Sequence, residues 1–368
     1  MVRLARFIHQ HPDWPRFVWD SDRLLAPLAQ ARKKQGILLG KMLGLGAADQ
    51  ARTTLATLTT DAVESGAIEG EHFDPAEVRS SVARRLGIAE DVSRPPSRRV
   101  DGFVSVLLDA LHSRAEPMNA RRLCAWHAAL FPEGHIGFDF KAAIGRWREA
   151  PVQVVSGNIG DPVVHFEGVE AGRIGDEIAA FLSWLETTPP ADAVIRSAVA
   201  HLWFATIHPF EDGNGRIARI LADRILAQED ATPHRFYSLS RQLKREQKAY
   251  YAQLEHAQRG TLDITAWLCW YVGCFYRALD ESEAVLDAAM RKSRFFQQHG
   301  ADLFNKRQNK VLLLALEGAG GKLTVKRWRE IAGCSVVTAT RDVNELVGRG
   351  ILSVAGAGRS THYLLNVG

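Results

Sequence analysis

Apolar residues recur at three- and four-residue spacing along most of this 368-residue chain, and this pattern predicts helices nearly throughout. Proline and glycine interrupt the pattern, for example at Pro95-Pro96 and at 132–134, and so separate one predicted helix from the next. The predicted fold class is therefore mostly α. The predicted helices cover residues 22–45, 47–68, 103–111, 119–131, 172–186, 191–207, 215–228, 242–258 and 263–289.

Strand signals are few, and the clearest is a pair of β-branched runs at residues 151–155 and 162–166. A turn rich in Gly and Asn, residues 156–161, lies between the runs, so the pair predicts a β-hairpin. A lone hairpin in a helical protein has no sheet to join. This isolation favours a functional role for the hairpin over an architectural one.

The net charge of +4 is too small to mark the whole chain as nucleic-acid binding. Its distribution is uneven, because the residues from Glu281 onward include 13 basic and 8 acidic side chains, whereas the preceding residues carry 33 and 34. The four cysteines do not predict a disulfide framework, and the longest apolar run, residues 264–276, is too short to cross a bilayer. We therefore expect a soluble cytoplasmic protein with reduced thiols and no membrane partner.

Two composition changes divide the chain into three predicted domains. The first is the charged, Pro-rich stretch 93–99, and the second lies near 290–310, where long helices give way to shorter elements. The N-terminal helical domain is predicted over residues 1–95, the central domain over 100–280 and a winged helix-turn-helix over 290–368.

The winged-helix prediction rests on three short helices followed by two strands. The first helix is predicted over 305–317, the second after Thr324 as N-cap, and the third from Ser335. DNA and a partner protein both remain open as ligands of this domain, because the third helix has few basic or amide side chains for reading bases. The side chains predicted to face DNA are Arg341, Arg349, Arg359 and His362.

The stretch 208–219 reads HPFEDGNGRIAR and concentrates residues suited to phosphate chemistry. The glycines of 212–215 allow backbone N–H groups to converge at the start of a helix predicted near Arg216, which makes an anion-binding nest. Arg216 and Arg219 lie three residues apart, so both guanidinium groups can face one anion.

Two further side chains of this stretch suggest catalysis. Asp212 is the candidate Mg²⁺ ligand, since that ion takes one or two carboxylates together with substrate phosphates. His208 can accept a proton near neutral pH.

Every specified position of the Fic-family signature HPFxDGNGRxxR is filled by this stretch, and residues 100–280 resemble a Fic domain. The resemblance implies transfer of AMP from ATP to a Ser, Thr or Tyr hydroxyl of a protein, or of the chain itself, with release of pyrophosphate. It implies His208 as the general base and Asp212 as the ligand of Mg²⁺. The other residues implied to contact ATP are Gly213, Asn214, Gly215, Arg216, Ile217, Ala218 and Arg219. A phosphorylating branch of the family has Lys in place of the second glycine and lacks the last arginine, so this signature favours AMP transfer.

Two neighbouring segments also resemble Fic proteins. The hairpin 151–166 lies where such proteins carry a flap that docks the target as an added strand, which implies docking by Val152, Val154 and Val155. The stretch 250–260, YYAQLEHAQRG, is similar to a Fic segment that borders the adenine. By that similarity, Tyr251 and Gln258 are adenine contacts.

Residues 65–70, SGAIEG, resemble the Fic inhibitory motif S/T-x-x-x-E-G/N, with Ser65, Glu69 and Gly70 at the specified positions. The helix macrodipole disfavours a glutamate at a helix C-terminus unless a cation meets it, and Arg219 is the candidate cation. A Glu69–Arg219 ion pair would occupy the guanidinium that the γ-phosphate needs. We therefore expect an autoinhibited enzyme.

Two other functions stay open at this stage. A de-AMPylase of the same fold would use the glutamate to position water, and a DNA-binding regulator would use the Fic core as a nucleotide sensor. A homodimer also stays open, and the sequence does not identify the target protein or the signal that releases Glu69.

Overall fold

The computed structural model describes most of the chain, and it is mostly α as predicted. The residues described are 6–89, 95–137, 142–158, 161–187, 192–230, 232, 234–300, 304–316 and 322–366. Their main elements, in chain order, are α1 Ser21–Leu43, α2 Ala47–Ile68, α3 Pro75–Leu86, α4 Arg98–His112, α5 Ala120–Leu130, β1 Gln153–Asn158, β2 Asp161–Glu167, α6 Ile174–Thr187, α7 Ala193–Ile207, α8 Asn214–Asp230, α9 Leu239–Arg245, α10 Gln247–Arg259, α11 Thr265–His299, α12 Lys306–Leu316, α13 Val325–Ala332, α14 Val336–Gly348, β3 Leu352–Ala355 and β4 His362–Leu365.

The chain forms two compact units. The larger unit comprises residues 1–37 and 54–281, and the smaller unit comprises residues 38–53 and 282–368. The division into three domains, inferred from changes in composition, stays a prediction.

Helix α7 lies at the centre of the larger unit. All of its residues except Arg196 are buried, which suits a helix that is apolar on every side. It packs along α8, which is also largely buried. The loop between these two helices carries the first part of the 208–219 stretch, so this loop is anchored at both ends in the core.

The predicted hairpin is confirmed, but its turn is shorter than expected. Strands β1 and β2 are antiparallel, and their ladder runs from the Gln153–Glu167 pair to the Asn158–Asp161 pair. The predicted turn 156–161 was therefore too long, because its first three residues continue strand β1. Its central residues lie outside the described part of the chain.

Two local predictions near the N-terminal region were incomplete. Helix α3 was missed because its sequence is polar, although Asp74 caps its first turn, Pro75 occupies its first position and Gly87 ends it in the left-handed region. The linker predicted at 93–99 was too long, because Ser97 caps α4 and the helix begins at the next residue.

The smaller unit ends with the predicted order of three helices and a hairpin, α12, α13, α14, β3 and β4. Thr324 caps α13, as expected, and Ser335, the predicted start of the third helix, is the N-cap of α14. Gly333 turns the chain between these helices with φ 64°. One apolar cluster holds the elements together. Its buried members are Phe295, Phe304, Val311, Leu312, Leu316, Leu323, Trp328, Ala339, Val343, Leu346, Ile351 and Leu352.

The described helices include none that is both long and apolar enough to cross a membrane. The four cysteines, Cys124, Cys269, Cys274 and Cys334, are free thiols.

Candidate active site

His208 lies at the C-terminal end of α7 and has the geometry of a base. Its φ of 52° places it in the left-handed region, where it is the only described residue other than glycine. Its Nδ1 is 3.1 Å from the carbonyl oxygen of Ala205, and since a carbonyl only accepts, Nδ1 must donate. The basic nitrogen of the neutral ring is therefore Nε2.

Burial lowers the pKa of His208 below its usual value of 6.5. The hydrogen bond to Ala205 opposes this shift, and the positive charge of Arg148 lowers the pKa further. The imidazole is therefore held in its neutral, proton-accepting form at neutral pH.

The loop after His208 is fixed by its own side chains and by α5. The amide of Asn214 accepts from the Phe210 N–H at 3.0 Å and donates to the Phe210 carbonyl at 2.8 Å. The Phe210 ring is fully buried and stacks on His127 with ring centroids 4.0 Å apart. His127 Nε2 donates to the Asp212 carbonyl at 3.2 Å, while its Nδ1 accepts from the Gly145 N–H at 3.0 Å. Both ends of the loop are thereby held in one conformation.

The start of α8 has the features of an anion-binding nest. Gly213 has φ 80°, and a Cβ there would lie 3.1 Å from the Phe131 ring, so no other residue fits easily. The helix begins at Asn214, and the N–H groups of a first helical turn have no intrahelical acceptor. Ile217 and Ala218 are fully buried and anchor this turn in the core.

Arg216 is buried, and its guanidinium is held by carboxylates. Its Nη1 donates to Glu71 Oε2 at 2.7 Å, and its Nη2 lies 3.5 Å from Asp212 Oδ2. The guanidinium also lies over the Phe131 ring, 4.9 Å from its centroid. The Nε atom has no hydrogen-bond partner among the described residues, so it retains a free donor.

Arg219 is also buried, and it contacts the segment that resembles the inhibitory motif. Its Nη1 donates to Glu69 Oε1 at 2.8 Å, while Nε and Nη2 donate to the hydroxyl and carbonyl oxygens of Ser65, each at 3.0 Å. A Cβ on Gly215 would lie only 2.3 Å from the same Glu69 oxygen. The Glu69 carboxylate therefore lies directly against Gly215.

The end of helix α2 presents Glu69 by a Schellman arrangement. Gly70 has φ 77°, and its N–H donates to the Ala67 carbonyl at 3.2 Å. The Glu71 N–H donates to the Gly66 carbonyl at 3.0 Å. The carboxylate thus stands at the negative end of the helix, where Arg219 compensates it.

Side chains of α9 and α10 bind the remaining carbonyls at this helix end. Lys244 Nζ donates to Ala67 at 2.7 Å, Gln247 Nε2 donates to Ile68 at 2.9 Å, and the Tyr251 hydroxyl donates to Ile68 at 3.0 Å. Tyr251 was predicted to border adenine, and in this structure its hydroxyl contacts α2. The expected adenine contact stays a prediction.

Gln258, the second predicted adenine contact, is buried on α10. Its amide lies 3.4 Å from the Thr206 hydroxyl on α7, outside the 208–219 stretch. Its role in nucleotide binding stays a prediction.

The hairpin carries the apolar side chains predicted to dock a target. Val154 and Val155 are exposed on β1, and Val163 is exposed on β2. Val152 precedes β1, and its carbonyl accepts from the Gly168 N–H at 3.0 Å. A Cβ on Gly168 would lie within 3.1 Å of both Val152 and His208, so the base of the hairpin lies against His208.

Arg148 joins the His208 loop to both ends of the hairpin. Its guanidinium donates to the carbonyls of His208 at 2.7 Å, Ala150 at 2.8 Å and Val169, and its own N–H donates to Pro209 at 3.0 Å. The side chain is buried, and its described hydrogen bonds are all to main-chain carbonyls.

Asp212 fits a Mg²⁺ ion that is shared with substrate phosphates. Its side chain is 46% exposed, and Oδ1 accepts from the Gly213 N–H at 2.6 Å. The described residues contain no cluster of three or more His, Cys, Asp or Glu side chains that could hold a metal alone. A single carboxylate suits Mg²⁺ only where substrate oxygens complete the coordination.

Family models match two parts of the chain. Residues 7–88 match a domain of unknown function, DUF4172, and residues 117–226, which contain the loop and both arginines, match the Fic/DOC family. Residues 117–226 therefore form a Fic/DOC domain.

Two curated proteins are similar to this chain over short stretches. A probable protein adenylyltransferase from Aquifex aeolicus is 33% identical over 87 residues, which are 24% of this chain and 25% of that protein. The protein adenylyltransferase fic-1 of Caenorhabditis briggsae is 36% identical over 99 residues, 26% of this chain and 18% of that protein. The chain therefore matches a quarter or less of the length of each relative.

Solved Fic structures share the fold. A Fic family protein from Desulfovibrio desulfuricans superposes with a TM-score of 0.51 at 20% identity, covering 93% of this chain and 96% of that chain. Fic-1 of Caenorhabditis elegans, residues 134 to 508, superposes with a TM-score of 0.50 at 20% identity. The match covers 74% of this chain and 76% of that chain.

Two residues of this candidate site were missed by sequence analysis. Glu71 lies two residues beyond Glu69 and pairs with Arg216. Arg148 lies in a segment to which no motif was assigned. Its position directly before the hairpin is the one sequence signal that could have drawn attention to it.

Proposed function

We propose that this protein transfers AMP from ATP to a hydroxyl group of a protein. The observation that carries the proposal is the neutral His208 at the start of a loop that leads into Arg216 and Arg219. In the reaction the hydroxyl oxygen bonds to the α-phosphorus, the bond from that phosphorus to the bridging oxygen breaks, and pyrophosphate leaves. The hydroxyl proton passes to His208 Nε2.

The phosphate groups are bound by the start of α8. The N–H groups around Gly213, Asn214 and Gly215 face the α- and β-phosphates, as the nest geometry favours. Arg216 and Arg219 neutralise the phosphate charge. Asp212 would hold a Mg²⁺ ion, which would draw charge from the phosphates.

Autoinhibition follows from the pairs that the two arginines make. Glu69 occupies the Arg219 donor that a γ-phosphate requires, and Glu71 occupies a donor of Arg216. ATP must therefore compete with two carboxylates for the same guanidinium groups. We infer a restrained enzyme whose activity rises when the end of α2 moves away.

The target binds along the hairpin as an additional strand. The two-stranded sheet presents exposed Val154 and Val155, and its base lies against His208. Main-chain pairing with a target segment would then set the hydroxyl in register with the base.

The test uses ATP labelled in either the α- or the γ-phosphate, with Mg²⁺ and the Glu69→Gly variant. We expect protein-bound label from the α-position alone, and none when His208→Ala is added to the same variant. Label from the γ-position alone would mean phosphate transfer and contradict the proposal. Loss of AMP from a target that already carries it, without any transfer, would favour de-AMPylation instead.

A further inference from the structure

Helix α14 has one face buried in the smaller unit and an opposite face that points away from it. Ala339, Val343 and Leu346 are buried in the apolar cluster of this unit. The opposite face lines a groove of about 680 Å³. Its lining residues are Val336, Val337, Thr340, Arg341, Asn344 and Glu345.

The composition of this face differs from that of a solvated helix. Val336 is 51% exposed and Val337 is 80% exposed, and neighbouring apolar groups left in water favour a binding surface. Thr340, Arg341 and Asn344 follow on the same face at helical spacing. Although the helix has few base-reading side chains in total, the structure places its arginine and its asparagine together.

The smaller unit also carries the protein's positive charge. Its residues include 15 Lys and Arg against 8 Asp and Glu, a net charge of +7, whereas the larger unit has 31 against 34. Each acidic group of α14 has a cationic partner, because Asp342 pairs with Arg307 at 3.1 Å and Glu345 Oε1 lies 3.6 Å from Arg349 Nη1.

The cations near the groove are available to an external anion. Arg341 on α14 and Lys326 and Arg329 on α13 are exposed and make no ion pair with described residues. A partner with closely spaced negative charges would match these cations, whereas an apolar protein surface would leave them unpaired on binding.

We propose that this face binds double-stranded DNA, with α14 in the major groove. Arg341 can donate to guanine, Asn344 can pair with adenine, and the methyl groups of Val337 can contact thymine methyls. The preceding helix of a helix-turn-helix crosses the phosphate backbone, where Lys326 and Arg329 on α13 would contact phosphates. The ligand is thus an acidic duplex that is read by sequence.

The test uses the full-length protein. A preferred duplex is first selected from a random-sequence pool, and binding is then followed by fluorescence anisotropy over a series of salt concentrations. We expect Arg341→Ala and Asn344→Ala to weaken binding to the preferred duplex by about 5- to 150-fold and to relax the selected sequence. Lys326→Ala and Arg329→Ala should each lower the slope of log affinity against log salt by about 1.

The control is Arg121→Ala, which removes an exposed cation without a described ion pair from the larger unit. It should bind DNA like the wild type, and all of these variants should retain their circular dichroism and AMP transfer. Absence of salt-dependent DNA binding, or equal binding by the Arg341→Ala and Arg121→Ala variants, would overturn the proposal. Binding of a protein to this face without any affinity for DNA would overturn it as well.

Discussion

Replacing Glu69 by glycine tests how strongly the end of α2 restrains the site. The variant removes the carboxylate 2.8 Å from Arg219 Nη1, whereas Ser65 still accepts from Nε and Nη2. Arg219 therefore stays in position and gains one free donor for phosphate. A hydrogen bond to a charged group contributes about 1.5–3 kcal/mol. Since about 1.4 kcal/mol corresponds to a tenfold change, we expect AMP transfer to rise roughly 10- to 150-fold.

The assay for this prediction is the initial rate of α-label incorporation at several ATP concentrations. The matched control is Glu69→Gln, which keeps the shape and an acceptor oxygen but removes the charge, so its rate should fall between those of the wild type and the glycine variant. A Glu69→Gly rate within twofold of wild type would refute the inhibitory role of the ion pair.

Four further outcomes are expected. Glu71→Gln, added to Glu69→Gly, should raise the transfer rate again because a neutral amide holds the Arg216 donor less strongly than a carboxylate does, and an unchanged rate would contradict this. Arg148→Met should lower kcat more than it changes KM for ATP, and Arg148→Lys should keep part of the kcat that the methionine variant loses. An equal loss of kcat in both variants would oppose a positioning role for Arg148. Because burial lowers the pKa of His208, transfer should stay constant down to about pH 6.5 and fall below it, and the acid limb should move to higher pH in Arg148→Met. Burial also lowers the pKa of His9, His127 and His201 to about 3 or 4. The unfolded chain therefore binds protons that the native chain excludes, and Tm should fall as pH drops from 6.5 towards 4. A Tm that is constant over this range would contradict this expectation.

The turn at residues 212–215 was predictable because its information is local. Asn214 binds the main chain four residues away, and Gly213 must adopt a positive φ, so the residue types alone indicate the turn. The cap at Thr324 also acts three residues away and was predicted for the same reason. Helix α3 also has local end signals, but its polar sequence hides the apolar spacing on which the other helices were predicted.

The contacts that were missed join distant parts of the chain. The Glu71–Arg216 pair spans 145 residues and the Arg148–His208 bond spans 60, so no spacing rule connects their partners. Tyr251 illustrates the same limit. Its hydroxyl donates to Ile68, 183 residues away, and this contact depends on how α10 packs against α2.

Intact-mass spectrometry tests the central claim most directly. The Glu69→Gly variant and the Glu69→Gly/His208→Ala variant would each be incubated with Mg²⁺ and ATP, and the mass added to the protein would be measured. We expect an AMP-sized adduct on the first variant and no adduct on the second. A phosphate-sized adduct, or an AMP adduct that persists without His208, would contradict the account.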